Sequence, residues 1–430
     1  MLSSRIILTM ATNQRGKLFS NFLALGVIQG TNFLLPLLVM PYVIKRIGAD
    51  GFGIVAVAQV VMLYLSTFSD YGFNLTATRD ISLHRHDNKK ISKIFCTVLS
   101  TKLIITVLSF VILLVLVSVV PLFRDNFLLY ILAFSCVLGQ SLLTGWFFQG
   151  VEKMHYITFS TLIARLIFVV LVFMFIHNQE DKALFLFFLG IGNIIAGIIS
   201  IYIAIKVFKL KIYRPSAGDI ILELKEGWQI TFSNLSINTY LYINVFVLRI
   251  FANDTIVGYY SIAEKIFYAI RQLLAIFSQA IYPRVCQIAI QKKEDLAHFF
   301  KQVFIPFLLL VCLGCISVFI FSSQLVHIFL STNSDLSVLL LKMLSFVPVV
   351  VCLNIPAYLL LLAFNEKKIY MKIFTAGTIV NVFSNLLLAS NWGAVGTATS
   401  IIISESFITI ALLVSLYRKN LMHSINPRIL

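Results

Sequence analysis

The sequence has few charged residues for its length. Only 12% of its 430 residues are Asp, Glu, Lys or Arg, whereas soluble domains average about 25%. Hydrophobic residues make up 59%, and the mean hydropathy is +0.95. This composition excludes a soluble enzyme, a disordered chain and a secreted disulfide scaffold. It predicts an all-α integral membrane protein, because helices that span a bilayer need apolar runs of about 20 residues.

The motifs of known enzyme chemistry are also missing. The sequence contains no Walker A motif, no His-Glu-x-x-His and no Gly-x-Ser-x-Gly. The six cysteines lie in or beside apolar runs, so we interpret Cys312 and Cys315, the one Cys-x-x-Cys pair, as packing residues. His84 and His86 lie in a basic loop that suits anionic lipid headgroups. We therefore expect no enzyme, no resident cofactor and no metal site.

Twelve apolar windows of about 19 residues are present, and we predict that each one spans the membrane. They cover residues 18–44, 52–76, 94–120, 127–148, 157–177, 183–205, 228–250, 256–282, 299–322, 336–363, 370–390 and 394–417. Alternate connections hold roughly 24 Lys and Arg residues on one side and about 5 on the other, and the positive-inside rule places both termini in the cytoplasm. The net charge of +16 therefore orients helices, and nucleic acid is not expected as a partner.

A weak internal repeat predicts two similar halves. Gly53 to Gln59 recurs as Gly258 to Glu264, with glycine, alanine and a polar residue at matching positions. Glu-Lys-x-x-Tyr follows both span four and span ten, at Glu152 and at Glu366. Because an even number of spans separates the copies, we predict two six-helix lobes related by a pseudo-two-fold axis along the membrane normal, with a central cavity.

The predicted lobes are residues 1–205 and 228–430. Residues 206–227 are the predicted cytoplasmic linker between them, with an amphipathic interfacial helix that follows a turn at Pro215.

Polar side chains inside the spans are the candidates for a binding site, because a charge at the bilayer centre costs at least about 2.5–3.5 kcal/mol. Span eight is the richest, and its polar residues form one arc that we expect to line a water-filled cleft. The alternative for Lys265 and Arg271 is internal ion pairing that only fixes helix packing. The candidate residues in spans seven and eight are Asn234, Asn238, Tyr242, Glu264, Lys265, Arg271, Gln272 and Gln279. Other intramembrane charges are Lys342 and Glu405, together with Lys102 and Arg165, which we expect to snorkel to lipid phosphates.

Several segments resemble those of the Wzx-like polysaccharide-biosynthesis flippases, which belong to the multidrug/oligosaccharidyl-lipid/polysaccharide exporter superfamily. They are Pro41 to Ile44, Ile47 to Gly53, Asp70 to Phe73, Ala77 to Arg79, Trp146 to Met154 and Val257 to Lys265. The resemblance covers most of the chain, and the segment from Trp146 to Met154 is its most specific part.

The resemblance implies a twelve-span transporter of the bacterial inner membrane. Its expected cargo is an undecaprenyl-diphosphate-linked oligosaccharide, the O-antigen or capsule repeat unit, which would move to the periplasmic leaflet by alternating access. The implied partners are this glycan, membrane lipids, a polysaccharide polymerase and a chain-length regulator. Family members often carry an acidic residue midway along span seven, where this chain has Asn244, so Asp70 and Glu264 are the candidates for H⁺ or Na⁺ coupling.

Residues and resemblance together predict how the cargo would bind. Arg271 and Lys265, with Arg249 and Lys342, would neutralise the diphosphate, while the amide and tyrosine side chains of spans seven and eight would bind sugar hydroxyls. One alternative is a cation-coupled multidrug antiporter of the related exporter family, which would need an acidic, aromatic cavity. A second alternative, a membrane-embedded glycan polymerase or ligase, would need a large periplasmic loop that this sequence lacks.

Overall fold

The computed structural model describes residues 35, 38–291, 294–330 and 334–419. These residues are almost entirely helical and contain no β-strand, as expected for an all-α membrane protein. They divide into two compact units. Unit 1 holds the described residues up to 47 and residues 58–235, and unit 2 holds residues 48–57 and 236–419. Most of predicted span one, and the basic residues before it, lie outside the described residues. The predicted lobe boundaries at residues 205 and 228 stay a prediction.

Helix α1 covers residues 38–70 and bends at Gly48, where φ is 77°. The next eight helices are α2 (Phe73–Leu83), α3 (Asn88–Val119), α4 (Pro121–Arg124), α5 (Phe127–Ala133), α6 (Ser135–Leu142), α7 (Gly145–Gly150), α8 (His155–Phe175) and α9 (Lys182–Lys206). The remaining helices are α10 (Ala217–Phe251), α11 (Asp254–Gln291), α12 (Glu294–Phe299), α13 (Ile305–Ile320), α14 (Ser322–Phe329), α15 (Asp335–Ser345), α16 (Val347–Ala363) and α17 (Lys367–Arg418). A π-helical turn at Phe300–Phe304 joins α12 to α13, and α17 bends at Gly393.

Eight helical segments among the described residues are long and apolar enough to cross a membrane, so the predicted membrane fold is confirmed. The count of twelve spans stays a prediction. Helices α10 and α11 are long enough to cross but are not among the eight. They contain predicted spans seven and eight, whose polar side chains lower their hydropathy. Predicted span four is divided into α5, α6 and α7.

The second half of the predicted linker forms the first turns of α10, which begins at Ala217, and residues 207–216 before it are not helical. Ser216 and Asp219 cap the start of this helix, because the Asp219 carboxylate accepts hydrogen bonds from the backbone and hydroxyl of Ser216. Lys93 of α3 holds the same carboxylate at 2.7 Å, and its hydrogen bond lowers the pKa of Asp219. The helix does not stop at residue 227, so the second half of the linker, from Ala217, and predicted span seven are one continuous helix.

The first turns of α10 also carry a carboxylate with an unusual pKa. Burial raises the pKa of Glu223 to about 7, and the negative charges of Asp80, Glu226 and Asp219 add to the shift. Because a raised carboxylate pKa means that the folded state binds the proton more tightly, this group lowers stability as the pH rises from its ordinary value of 4.5 towards 7.

We predict that Glu223→Gln makes the melting temperature of the protein depend less on pH. Over pH 5–7 the wild-type protein should lose stability relative to the variant, since only the wild-type side chain must release a proton from a partly buried site. Thermal unfolding in detergent at several pH values measures the difference. An identical pH profile for the two proteins would show that Glu223 titrates normally.

The most specific family-like segment forms the aromatic core of unit 1. Trp146, Phe147 and Phe148 of α7 are fully buried. The Trp146 ring lies 5.5 Å from that of Phe95 in α3, and the Phe147 ring lies 5.2 Å from that of Phe208 after α9. Their packing joins three parts of unit 1 that are far apart in sequence. The motif therefore has a structural role at the cytoplasmic end predicted for span four.

The two halves of the repeat end spans four and ten with the same backbone turn. Glu152 and Asn365 both adopt left-handed conformations, with φ of 59° and 61°. The residue after each of them donates its backbone N–H to the carbonyl oxygen five residues earlier. The donors are Lys153 in the first turn and Glu366 in the second. The structural register therefore aligns Glu152 with Asn365, one residue away from the alignment suggested by the Glu-Lys letters.

The repeated glycines meet each other within unit 2. A Cβ atom at Gly53 would overlap the carbonyl oxygen of Asp254, and a Cβ atom at Gly258 would overlap that of Ala49. Asp254 lies four residues before Gly258, and Ala49 lies four residues before Gly53. The two copies of the repeated segment therefore make the same contact with each other. The Thr255 hydroxyl also lies 3.4 Å from an Asp50 carboxylate oxygen. Only glycine permits this close helix crossing, which is why the repeat preserves it.

We predict that Gly258→Ala lowers the free energy of unfolding by about 1–3 kcal/mol, because the new methyl group overlaps the backbone carbonyl of Ala49. The matched control is Gly314→Ala in α13, where nothing lies within 4 Å of the added Cβ and a helix gains about 1 kcal/mol from alanine. Thermal unfolding of both purified variants checks this. Equal stability of the two would mean that the helices can separate at the crossing without cost.

Candidate functional site

Unit 1 contains a buried ion pair between the end of α1 and the middle of α3. The Lys102 ammonium lies 2.9 Å from a carboxylate oxygen of Asp70, with their side chains 1% and 12% exposed. Asn74 donates its amide N–H to the second Asp70 oxygen at 2.6 Å. The pair satisfies both charges inside the helix bundle, so each residue needs the other.

The prediction that Lys102 snorkels to lipid phosphates is wrong. Its side chain is buried and points into unit 1, where Asp70 provides a closer counter-charge than the membrane surface. Asp70 was predicted as a coupling-ion site. The structure instead places it in an ion pair, and a transported cation would have to compete with Lys102 for it.

We predict that Asp70→Asn and Lys102→Met each destabilise the protein by about 3–5 kcal/mol, since each leaves a buried charge without its partner. The double variant should be more stable than the sum of the two single effects implies, because no unpaired charge remains. Chemical or thermal unfolding of the four proteins measures this coupling. Additive losses would contradict a direct interaction.

A cavity of about 200 Å³ lies beside this ion pair, within unit 1. Polar side chains from α6 to α9 line it, including those of Gln140, Thr144, Ser160, Arg165, Asn193 and Ser200. Arg165 was predicted to snorkel to lipid, but the structure places it on the wall of this cavity. Asp70 and Asn74 complete the lining on the α1 and α2 side.

Unit 2 contains the strongest polar cluster of predicted spans seven, eight, eleven and twelve. The Arg271 guanidinium of α11 lies 2.7 Å from the Glu405 carboxylate of α17. It also lies 5.5 Å from the ring centre of Tyr240 in α10 and 6.0 Å from that of Phe267. Glu405 is buried, whereas the Arg271 side chain is 21% exposed. The arginine is therefore held by a carboxylate and two aromatic rings.

Amide side chains extend this cluster between α10 and α17. Asn385 donates an N–H to the Asn244 side-chain oxygen at 2.9 Å, and Asn381 donates to the Ser404 hydroxyl at 3.2 Å. The enclosed space beside Arg271 is about 10 Å³, close to the minimum for one water molecule. Sequence reasoning missed Asn381, Asn385 and Ser404, although the two asparagines lie four residues apart on one helix face.

Other predicted residues of unit 2 lie near this cluster or engage local partners. Tyr242 packs its ring 5.7 Å from the ring of Tyr268, whose hydroxyl donates to the carbonyl of Leu241. The buried Glu264 accepts a hydrogen bond from the Tyr260 hydroxyl at 3.3 Å. The contacts of Tyr268 join the predicted polar stripes of α10 and α11, whereas the Glu264 hydrogen bond lies within α11. Lys265, Gln272 and Asn238 are half-buried, whereas Gln279 is exposed. Asn234 belongs to unit 1 and is half-buried there.

Two of the basic side chains predicted to bind the cargo, Arg249 and Lys342, contact other groups in the structure. Arg249 lies at the end of α10 and donates to the Asp254 carboxylate at 3.1 Å, at the connection before α11. The Lys342 ammonium lies 5.6 Å from the ring centre of Phe319. Neither contact brings these residues to the Arg271 cluster. Their predicted roles in cargo binding stay predictions, as do those of Lys265 and Arg271.

Comparison with known proteins identifies the family of this chain. The family model described as "Polysaccharide biosynthesis protein" matches residues 18–289. The chain belongs to this polysaccharide biosynthesis protein family. Two curated relatives are named "Putative O-antigen transporter". The relative from Escherichia coli (strain K12) is 29% identical over 93% of this chain and 96% of its own length. The relative from Shigella dysenteriae is 30% identical over 91% of this chain and 98% of its own length.

Solved structures share the fold of this polysaccharide biosynthesis family protein. An inward-facing multidrug resistance MATE family transporter of the MOP superfamily matches with a TM-score of 0.67 and 13% identity, over 91% of this chain and 96% of that one. The MATE multidrug transporter DinF-BH matches with a TM-score of 0.60 and 16% identity, over 95% of this chain and 96% of that one. At such low identity the likeness shows the fold alone.

The family membership confirms the resemblance found in the sequence. The protein is a multi-pass membrane transporter of this family, and its curated relatives are named as transporters and not as enzymes.

Proposed function

We propose that this protein is a flippase that moves an undecaprenyl-diphosphate-linked oligosaccharide across the bacterial inner membrane. The cargo would be an O-antigen or capsule repeat unit, moved by alternating access to the periplasmic leaflet, with both termini in the cytoplasm. The observation that carries the proposal is the similarity to two O-antigen transporter relatives over more than 90% of the chain.

The physical problem for such a cargo is its diphosphate. A diphosphate cannot cross hydrocarbon unaided, since each desolvated charge costs several kcal/mol or more. Arg271 suits this task because its guanidinium forms paired hydrogen bonds with phosphate oxygens and remains charged when partly buried. It is already oriented by Tyr240 and Glu405 and keeps a partly exposed face. In this proposal the diphosphate replaces Glu405 as the partner of Arg271, and Lys265 on the same helix adds a second positive charge.

The coupling cation would be H⁺ or Na⁺. Of the two carboxylates proposed for it, Glu264 fits better than Asp70. Glu264 accepts a hydrogen bond from a tyrosine, while Asp70 is held by a lysine ammonium that repels cations. Glu264 also lies on α11, the helix that carries Arg271, so binding of cation and cargo would act on the same helix.

A cation-coupled multidrug antiporter is the alternative that the MATE fold supports. Its cavity should attract cationic drugs. The predicted binding residues here include Arg271 and Lys265, whose positive charges suit an anionic cargo better.

We predict that Arg271→Gln reduces transport at least about tenfold, because it removes a charge-assisted contact to the diphosphate worth about 1.5–3 kcal/mol. The matched control is Arg284→Gln on the same helix, where the side chain is exposed and contacts Gln287. Surface polysaccharide and accumulated lipid-linked glycan are measured in cells that lack the native protein. The double variant Arg271→Gln with Glu405→Gln removes both charges of the pair, so it separates a folding defect caused by an unpaired Glu405 from lost cargo binding.

If the double variant folds and restores full surface polysaccharide, Arg271 does not bind the cargo. If cells without the protein accumulate no lipid-linked glycan but become sensitive to cationic drugs, the antiporter replaces the flippase as the function.

A further inference from the structure

We propose that the cavity of unit 1 is a subsite for one sugar ring of the transported glycan. This inference rests on the proposed flippase function. It adds a binding site in unit 1, whereas the Arg271 cluster belongs to unit 2. Of the site residues predicted from the sequence, the described lining of this cavity includes Asp70 alone.

The first observation is a break in a helix at the cavity wall. Helix α6 ends at Leu142 and α7 begins at Gly145, and Leu143 between them is extended, with ψ of 122°. Thr144 donates its backbone N–H to the Ser200 hydroxyl of α9 at 3.3 Å. Helices that break inside a membrane do so where the freed backbone is buried in protein or lines a cavity. Such interruptions mark binding sites in transporters.

The second observation is a buried hydroxyl without a partner. Thr144 belongs to the cavity wall, and among the described residues its fully buried Oγ1 atom is one of those that make no hydrogen bond. Buried polar groups in proteins are almost always satisfied, and leaving one without a partner costs about 1–3 kcal/mol. If a small rotation of the non-helical Leu143–Thr144 turn turned Oγ1 towards the cavity, a ligand hydroxyl would provide the missing partner.

The chemistry of the remaining lining selects a neutral or acidic polyol. Asn193 and Gln140 carry amides that both donate and accept hydrogen bonds, as sugar hydroxyls require. Arg165 adds a permanent positive charge, while the negative charge of Asp70 is balanced by Lys102. A cationic ligand is therefore disfavoured. The Phe148 ring contributes an apolar wall of the kind on which the face of a sugar ring packs.

The size of the cavity limits the ligand to a single ring. Its volume of about 200 Å³ is below the range of roughly 300–1,000 Å³ that holds drug-sized ligands. Gly145 provides a way to fill this space. Gly145 lines the cavity, and a Cβ atom there would meet only the Ile157 Cδ1 atom, at 3.8 Å, so the wall accepts a Cβ atom without moving the backbone and we expect a valine side chain to reduce the cavity volume.

The experiment measures how two lipids raise the melting temperature of the purified full-length protein. One lipid is the lipid-linked glycan extracted from cells that lack this flippase, and the other is undecaprenyl diphosphate without sugar. The proteins compared are wild type, Gly145→Val and the matched control Gly314→Val, whose added side chain also enters open space but in α13. Ligand-linked stabilisation reports binding to the folded state.

We expect both lipids to stabilise the wild-type protein, and the glycan-bearing lipid to add a further rise of about 2–4 °C. Gly145→Val should keep the shift caused by undecaprenyl diphosphate and lose the further rise, with at least a tenfold weaker affinity for the glycan-bearing lipid. Gly314→Val should behave as wild type. Asn193→Ala, which removes an amide from the same wall without filling it, should weaken only the glycan-dependent part.

An undiminished further rise in both Gly145→Val and Asn193→Ala would overturn the subsite, because the sugar would then bind elsewhere. A wild-type protein that neither lipid stabilises would contradict the proposed function itself, and the subsite with it. Equal shifts from the two lipids in the wild-type protein would contradict the subsite but leave diphosphate recognition intact.

Discussion

A charge inside a membrane protein needs a counter-charge, because the hydrocarbon around it provides no water. The described helices meet this requirement with two buried pairs, Lys102 with Asp70 in unit 1 and Arg271 with Glu405 in unit 2. Each pair joins helices that are distant in sequence, so it helps to determine which faces of those helices meet. Membrane helices gain little from burying apolar side chains against each other, since lipid tails are equally apolar. Polar contacts and close packing therefore determine much of which helix faces pack together.

The need for a counter-charge applies equally to an anionic cargo that moves through the protein. A guanidinium that is paired with a carboxylate is already largely removed from water when the cargo arrives, so binding can exchange one anionic partner for another without a second desolvation of the arginine. In the proposed mechanism the diphosphate enters this exchange at Arg271 and replaces Glu405 as its partner. Of the two predicted coupling residues, Glu264 lies in unit 2 on the helix that carries Arg271, whereas Asp70 lies in unit 1.

Close packing supplies the second constraint. At the crossing of Gly53 and Gly258, two equivalent helix segments approach so closely that only hydrogen atoms fit between their backbones. The contact is reciprocal, because each glycine meets the carbonyl oxygen of the residue four positions before the other glycine. Asp50 and Thr255 extend the contact at equivalent positions. The sequence repeat at these glycines thus reflects a physical requirement for small residues in both copies.

Composition, loop charges and the repeated motifs determined the membrane class, the helical fold and the family, because these properties depend on local hydropathy and on short sequence patterns. They also placed Arg271 and Glu264 in a polar arc of one helix, because residues seven apart share a helix face. The partners of the buried charges were decided only by the tertiary structure. Glu405 is 134 residues from Arg271, and no helical periodicity connects positions on different helices. The prediction that Lys102 reaches the membrane surface was wrong because the sequence does not show its partner. Only the packing of α3 against the end of α1 brings Asp70 beside it.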